Sequence, residues 1–192
     1  MKITKLSVVL IVLFGMMTAA DVLLLRQNLQ LRKRLEGNTP KPEVGMSLRS
    51  FVAKDLDGQT VQLGSTGPGP KRVYMYFTPT CKFCREQFPY WKTIVKEAPS
   101  HNLEVIGLVK DDEDKTALKA FLQKMELSSD SATPLRIAFI PADLQRDYKL
   151  SATPTTLIAD NRGVIEQSWV GAWRASAFAE VNSVLAFQVN PQ

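Results

Sequence analysis

The hydrophobic pattern divides the chain into one long apolar run followed by a series of short ones. From Leu6 to Leu25 the residues are overwhelmingly apolar or small with a single charge, Asp21, and Lys2 and Lys5 precede them. A helix needs about 20 apolar residues to cross the hydrocarbon layer, so this run predicts an N-terminal transmembrane helix, either an uncleaved signal anchor or a signal peptide. Thr18-Ala19-Ala20 offers a small-residue cleavage site, but Val22 to Leu25 prolongs the run beyond it, which favours the anchor. Gln27 to Glu36 continues in helix formers until Gly37 to Pro42 breaks the helix and forms a tether.

Beyond the tether the apolar runs shorten to strand length. Ser50–Ala53 and Gln59–Leu63 flank Asp57-Gly58 and predict a hairpin. Gly64 to Pro70 is a loop, and Arg72 to Phe77 is a buried strand. It passes through Thr78-Pro79-Thr80 into a segment of helical spacing that extends to about Ala98 and is kinked at Pro89. Leu103–Val109 and Leu135–Ile140 are further strands. Between them Asp111-Asp112-Glu113-Asp114 supplies a cap and first-turn acids for a helix to Leu127, a more economical reading than a metal site. Pro141–Tyr148 is a short helix, Pro154–Ala159 and Val164–Val170 pair around Asn161-Arg162-Gly163, and Arg174–Phe187 is a closing helix. Alternating strands and helices imply an α/β fold with a central mixed sheet flanked by helices. The domain organisation read from this is a membrane anchor over 1–26, a juxtamembrane helix and linker over 27–43, and one globular domain over 44–192.

Charge adds less than the total suggests. The net charge is +5, but residues 1–34 hold six Lys or Arg against Asp21, and the remainder holds eighteen basic and eighteen acidic residues. The domain is neutral, without a basic stripe, and nucleic acid is not its partner. A bare count of the flanking Lys and Arg would place the C-terminal side inside the cell. The order of charge, apolar run and small residues resembles an export signal, however, and this sets the expected location: a single-pass protein of the inner membrane with its domain in the periplasm.

The chemistry is concentrated where the strand ending at Phe77 delivers both cysteines, Cys81 and Cys84, to a helix start. Unpaired N–H groups and the dipole at a helix N-terminus favour the thiolate, the form that attacks disulfides. Structural zinc requires four ligands, and His101 is the one further soft ligand in the chain. A structural disulfide across two intervening residues would constrain the unfolded chain little. A redox-active dithiol fits the context, with Cys81 as nucleophile, Cys84 as resolving thiol and Lys82 biasing Cys81 toward the thiolate. No metal or organic cofactor is implied.

With these elements and this dithiol the chain resembles the thioredoxin fold, and within it the membrane-tethered ResA/TlpA-type thiol-disulfide oxidoreductases, over roughly Val44 to Val189. Cys84 to Tyr90 resembles that family's active-site helix, with a proline five residues after the second cysteine. Asp143–Leu150 resembles the segment before its proline loop, and Ala152–Ile158 resembles the loop itself. The resemblance implies that Pro154 is a cis-proline facing the dithiol and that Thr153 pairs with substrate backbone. It also implies protein thiols and disulfides as substrates, a membrane electron donor, and reduction of exported proteins, for example in cytochrome c maturation.

Departures from the family pattern mark positions expected to modulate the site. Thr80 and Phe83 stand where Trp and Pro are common before the two cysteines, and Gln87 where some members carry Glu. The buried acid that thioredoxin itself carries six residues before its first cysteine is here Met75. Two other readings compete. A peroxiredoxin-like peroxidase would use Thr78, three residues before Cys81, although the proline of that motif is replaced by Tyr74. A peptide-binding module would leave the dithiol idle.

Overall fold

The computed structural model describes residues 5–38, 40–65 and 67–190, with the side chains of 5–13 and 31–38 outside the description. The chain forms two compact units, 1–39 and 40–192.

The first unit is one helix, α1 (Lys5–Asn38), which covers the whole apolar run and the helix formers after it. Among the described residues no helix is long and apolar enough to cross a membrane. From Phe14 onward Asp21, Arg26 and the polar pair Gln27-Asn28 interrupt the apolar residues, while the most continuous stretch, 6–13, has its side chains outside the description.

The second unit is a seven-stranded sheet in the order β2-β1-β5-β4-β3-β6-β7. Its strands are β1 (Phe51–Lys54), β2 (Thr60–Leu63), β3 (Lys71–Tyr76), β4 (Leu103–Lys110), β5 (Arg136–Ile140), β6 (Thr155–Ala159) and β7 (Ile165–Val170). β3, β4 and β5 are parallel neighbours, and all other pairings are antiparallel, including β1 with β2 around the Asp55 turn. The helices are α2 (Lys82–Glu97), α3 (Lys115–Lys124), α4 (Ala142–Asp147) and α5 (Ala175–Leu185), with a 3-10 turn at Ala98–His101.

Both faces of β3 are apolar, as a central strand requires. Val73, Met75 and the following Phe77 enter one core with α2, α3 and α5, while Tyr74 and Tyr76 enter the other with Leu144 and Tyr148. α2 buries Cys84, Phe88, Trp91 and Val95 at helical spacing against the first core. Burying Phe88 alone is worth about 1.5–3 kcal/mol. The Trp91 indole N–H donates to Thr156 Oγ1 at 3.0 Å, pinning the dithiol helix to β6.

Three expectations change. The acidic run does not open α3: Asp114 alone caps it, accepting from the N–H groups of Thr116 and Ala117, while the Asp111 and Glu113 N–H groups donate to Ile140 and Lys110. That helix also stops at Lys124, because the left-handed Glu126 (φ 57°) turns the chain before Leu127. In addition, residues 40–43 of the expected tether lie along the domain. The carbonyls of Pro40 and Pro42 accept from the Ser151 and Ser168 hydroxyls, the latter at 2.8 Å, and Glu43 pairs with Lys149.

Candidate active site

The last residue of β3 leads through Phe77 and a Thr-Pro-Thr turn to Cys81, which is the N-cap of α2 itself rather than a residue of its first turn. Its φ of −71° and ψ of 117° are extended, and its sulfur occupies the place of a capping oxygen. The backbone N–H of Cys84 donates to Cys81 Sγ at 3.2 Å. Across the site the carbonyl of Thr153 lies 3.6 Å from the same sulfur, which as a thiol donates to it. The Thr153–Pro154 peptide bond is cis. Residues 81 and 153, remote in sequence, therefore meet at one sulfur, and both cysteines are free thiols.

The two thiols have opposite surroundings. Partial burial works to raise the Cys81 thiol, but donors around it outweigh that cost: the Cys84 thiol, the Thr153 side chain and the backbone N–H groups of Cys84 and Phe83. Its pKa therefore lies below the ordinary thiol value. Lys82 is exposed, and the hydrogen-bond donors around Cys81 are what outweigh burial and lower its thiol. Cys84 is fully buried, and burial first, then its interaction with Cys81, pushes it up to about 12. One thiol is shifted toward easier deprotonation and its neighbour toward retaining its proton.

Among the positions expected to modulate the site, Phe83 is 57% exposed two residues after Cys81. Thr80 is exposed, its hydroxyl 3.4 Å from that of Thr78 and its carbonyl accepting from Arg85. Gln87 is buried and its Oε1 accepts the backbone N–H of Trp173 at 2.8 Å. That partner was not legible in the sequence, because residue 173 follows β7 and nothing in its local pattern points to α2. Among the described residues no group of three or more His, Cys, Asp or Glu side chains is arranged to hold a metal ion.

Residues 44–168 match the AhpC/TSA family. The chain is similar to the thiol-disulfide oxidoreductase ResA of Bacillus thuringiensis subsp. konkukian, with 27% identity over 133 residues, covering 68% of this chain and 72% of that protein. Sporulation thiol-disulfide oxidoreductase A of Bacillus subtilis is 19% identical over 132 residues, covering 68% of this chain and 76% of that protein. Two solved structures share the thioredoxin-like fold. The thioredoxin domain of a thiol-disulfide oxidoreductase from Bacteroides vulgatus gives a TM-score of 0.58 at 15% identity, over 77% of this chain and 99% of that one. StoA from Bacillus subtilis gives 0.54 at 16% identity, over 70% and 97%.

Proposed function

The chain belongs to the AhpC/TSA family, and from its similarity to thiol-disulfide oxidoreductases and the split environment of its two thiols we propose that it is a thiol-disulfide oxidoreductase of the ResA type. The observation that carries the reading is the Cys81 sulfur at the helix N-cap, receiving the Cys84 N–H at 3.2 Å with the Thr153 carbonyl facing it. In the reductive direction the Cys81 thiolate attacks one sulfur of a substrate disulfide. A Cys81–substrate disulfide forms, and the other substrate sulfur leaves as a thiolate and takes a proton. Cys84, having lost its proton, then attacks Cys81 Sγ and releases the second substrate thiol. The substrate gains two electrons and two protons, and the enzyme is left with a Cys81–Cys84 disulfide. Holding Cys84 protonated until Cys81 has lost its negative charge keeps the two steps in order.

Cys84→Ser tests this reading, because it should trap substrates on Cys81 as stable mixed disulfides visible in non-reducing gels. No adducts with Cys84→Ser, or full turnover by Cys81→Ser, would refute the dithiol mechanism.

The cellular role that fits is reduction of exported proteins, including cytochrome c precursors, by a domain in the periplasm. The apolar run Leu6–Leu25 supports a single inner-membrane anchor, and a membrane electron donor would restore the dithiol. The full chain should then stay in the membrane fraction through alkaline washing, and a reporter after Gln192 should be active outside the cytoplasm only. A soluble product beginning near Asp21 would indicate cleavage, and a cytoplasmic reporter would refute the orientation. A peroxidase reading draws on Thr78. The motif's proline position, however, holds Tyr74, which is fully buried and accepts the Gly64 N–H, and hydrogen peroxide turnover by the reduced protein separates the two.

A further inference from the structure

Gln87 lies one turn beyond Cys84 on α2, and its side chain reaches a different element: Oε1 accepts the Trp173 N–H at 2.8 Å. Two residues before Trp173, the Gly171 N–H donates to the Pro154 carbonyl at 2.7 Å. On the other side of that proline, the Thr153 carbonyl faces Cys81 Sγ at 3.6 Å. These contacts close a ring. The dithiol helix holds the 171–173 segment, that segment holds the proline loop, and the loop faces the sulfur at the start of the same helix.

The ring is built into the fold rather than laid on its surface. β7 pairs with β6 as far as Val170 opposite Thr155, so Gly171 continues directly from a fixed ladder. At Gly171 the backbone turns through φ +91°, a conformation that glycine adopts freely, and the N–H groups of 171 and 173 serve separate partners. Gln87 is 1% exposed, and the Trp173 ring packs against Trp169 at 5.9 Å and Phe178 at 6.1 Å between centroids. A hydrogen bond in such surroundings is electrostatically stronger than one in water, and an unpaired N–H there costs more. Gln87 Nε2 has no hydrogen-bond partner among the described residues, so the amide acts here through its oxygen.

We propose that Gln87 is a positioning residue for substrate docking: through Trp173 and Gly171 it fixes the proline loop at the separation from Cys81 that a peptide-borne disulfide requires. The inference rests on the thiol-disulfide reading above. A substrate sulfur reaching Cys81 enters beside residue 153. A protein disulfide brings its main chain against the proline loop, whereas a small disulfide brings little beyond the sulfurs. Loosening the loop therefore weakens the first encounter and spares the second.

Two variants open the ring at different points. Gln87→Met is similar in length, lacks the acceptor, and also removes the unpaired amide N–H, which offsets part of the cost of the lost bond. Gly171→Ala acts on the backbone, because a Cβ there meets nothing within 4 Å. Steady-state kinetics on a short disulfide-bonded peptide and on dithionitrobenzoate give the readout. Each variant is expected to raise KM for the peptide about tenfold, the size of one lost buried hydrogen bond, while kcat and the dithionitrobenzoate rate change less than about twofold. The double variant should be about as impaired as either single one, since both open the same ring. Unchanged peptide KM in the folded variants, equal losses on both substrates, or losses that multiply in the double variant would overturn the proposal. Should Gln87→Met fail to fold, the peptide-to-small-disulfide ratio of Gly171→Ala decides alone. A wild-type protein that reduces neither disulfide would instead refute the thiol-disulfide reading on which the proposal stands.

Discussion

The backbone N–H of Cys84 points at Cys81 Sγ at 3.2 Å, so the second cysteine of the pair favours the thiolate form of the first. The relationship is a helix-capping contact in which sulfur takes the place usually filled by oxygen, and it separates the two thiols chemically although only two residues lie between them.

Limited alkylation of the reduced protein should therefore modify Cys81 first. Peptide mass spectrometry at increasing reagent should show Cys81 near completion before Cys84 is labelled, and preferential labelling of Cys84 would reverse the roles. Cys84→Ser retains both the backbone N–H and a side-chain donor, so Cys81 should stay reactive below the ordinary thiol range. Cys84→Ala removes the side-chain donor, and the pH midpoint of Cys81 alkylation should rise.

The same split makes stability depend on pH in the reduced state. Cys84 has an ordinary value of 9.0 and is pushed up to about 12 in the fold, mainly by burial. Its contribution is full below the unfolded value and is lost as pH rises toward the folded one, because over that range the unfolded chain has released a proton that the native state retains. Tyr76, also pushed up to about 12 by burial, starts from 10.0, so between pH 9 and 10 Cys84 dominates over it. Thermal unfolding of the reduced wild type should fall across this window, and that of Cys84→Ala should not. Parallel curves for the two proteins would refute the assignment.

The redox potential should lie nearer the roughly −270 mV of thioredoxin than the roughly −120 mV of DsbA. The residues between the cysteines are Lys82 and Phe83, without the histidine of strongly oxidising DsbA-type motifs, and exposed Lys82 is well screened. Equilibration in dithiothreitol or glutathione buffers, read by alkylation, measures it. A value near that of DsbA would replace the reductase with an oxidase.

Anchoring of the dithiol helix to the sheet can be tested at Thr156, which is 2% exposed and accepts the Trp91 indole N–H at 3.0 Å. Thr156→Val preserves shape while leaving that donor unpaired, and should cost about 1–3 kcal/mol in denaturant unfolding. An unchanged midpoint would show that the bond carries no stability.

How far the sequence reaches is clearest by comparing Cys81 with Gln87. The strand ending near Phe77, the turn through Pro79 and the helix after it are encoded in side-chain periodicity and turn chemistry, both local properties. The dithiol's place at a strand-to-helix junction was accordingly readable from residues 72 to 97, and the other strands and helices were readable in the same way to within a few residues. The extent of α3 was not, because an acidic run meets the requirements of a cap wherever the chain turns, and carbonyls on Lys110 and Ile140 decided that Asp111 and Glu113 lie outside it. The cis bond at Pro154 and the approach of Thr153 were expected from resemblance alone, since no local pattern in residues 152–158 refers to residue 81.

By itself, then, the sequence determined the order of elements, the two faces of β3 and the dithiol at a helix start, all of which follow from interactions among near neighbours. Only the tertiary structure decided which groups surround each sulfur, that hydrogen bonds lower Cys81 while burial raises Cys84, and that Gln87 holds Trp173. Those outcomes depend on contacts between residues 72 and 86 positions apart, and such contacts exist only once the sheet has brought the proline loop and the end of β7 beside α2.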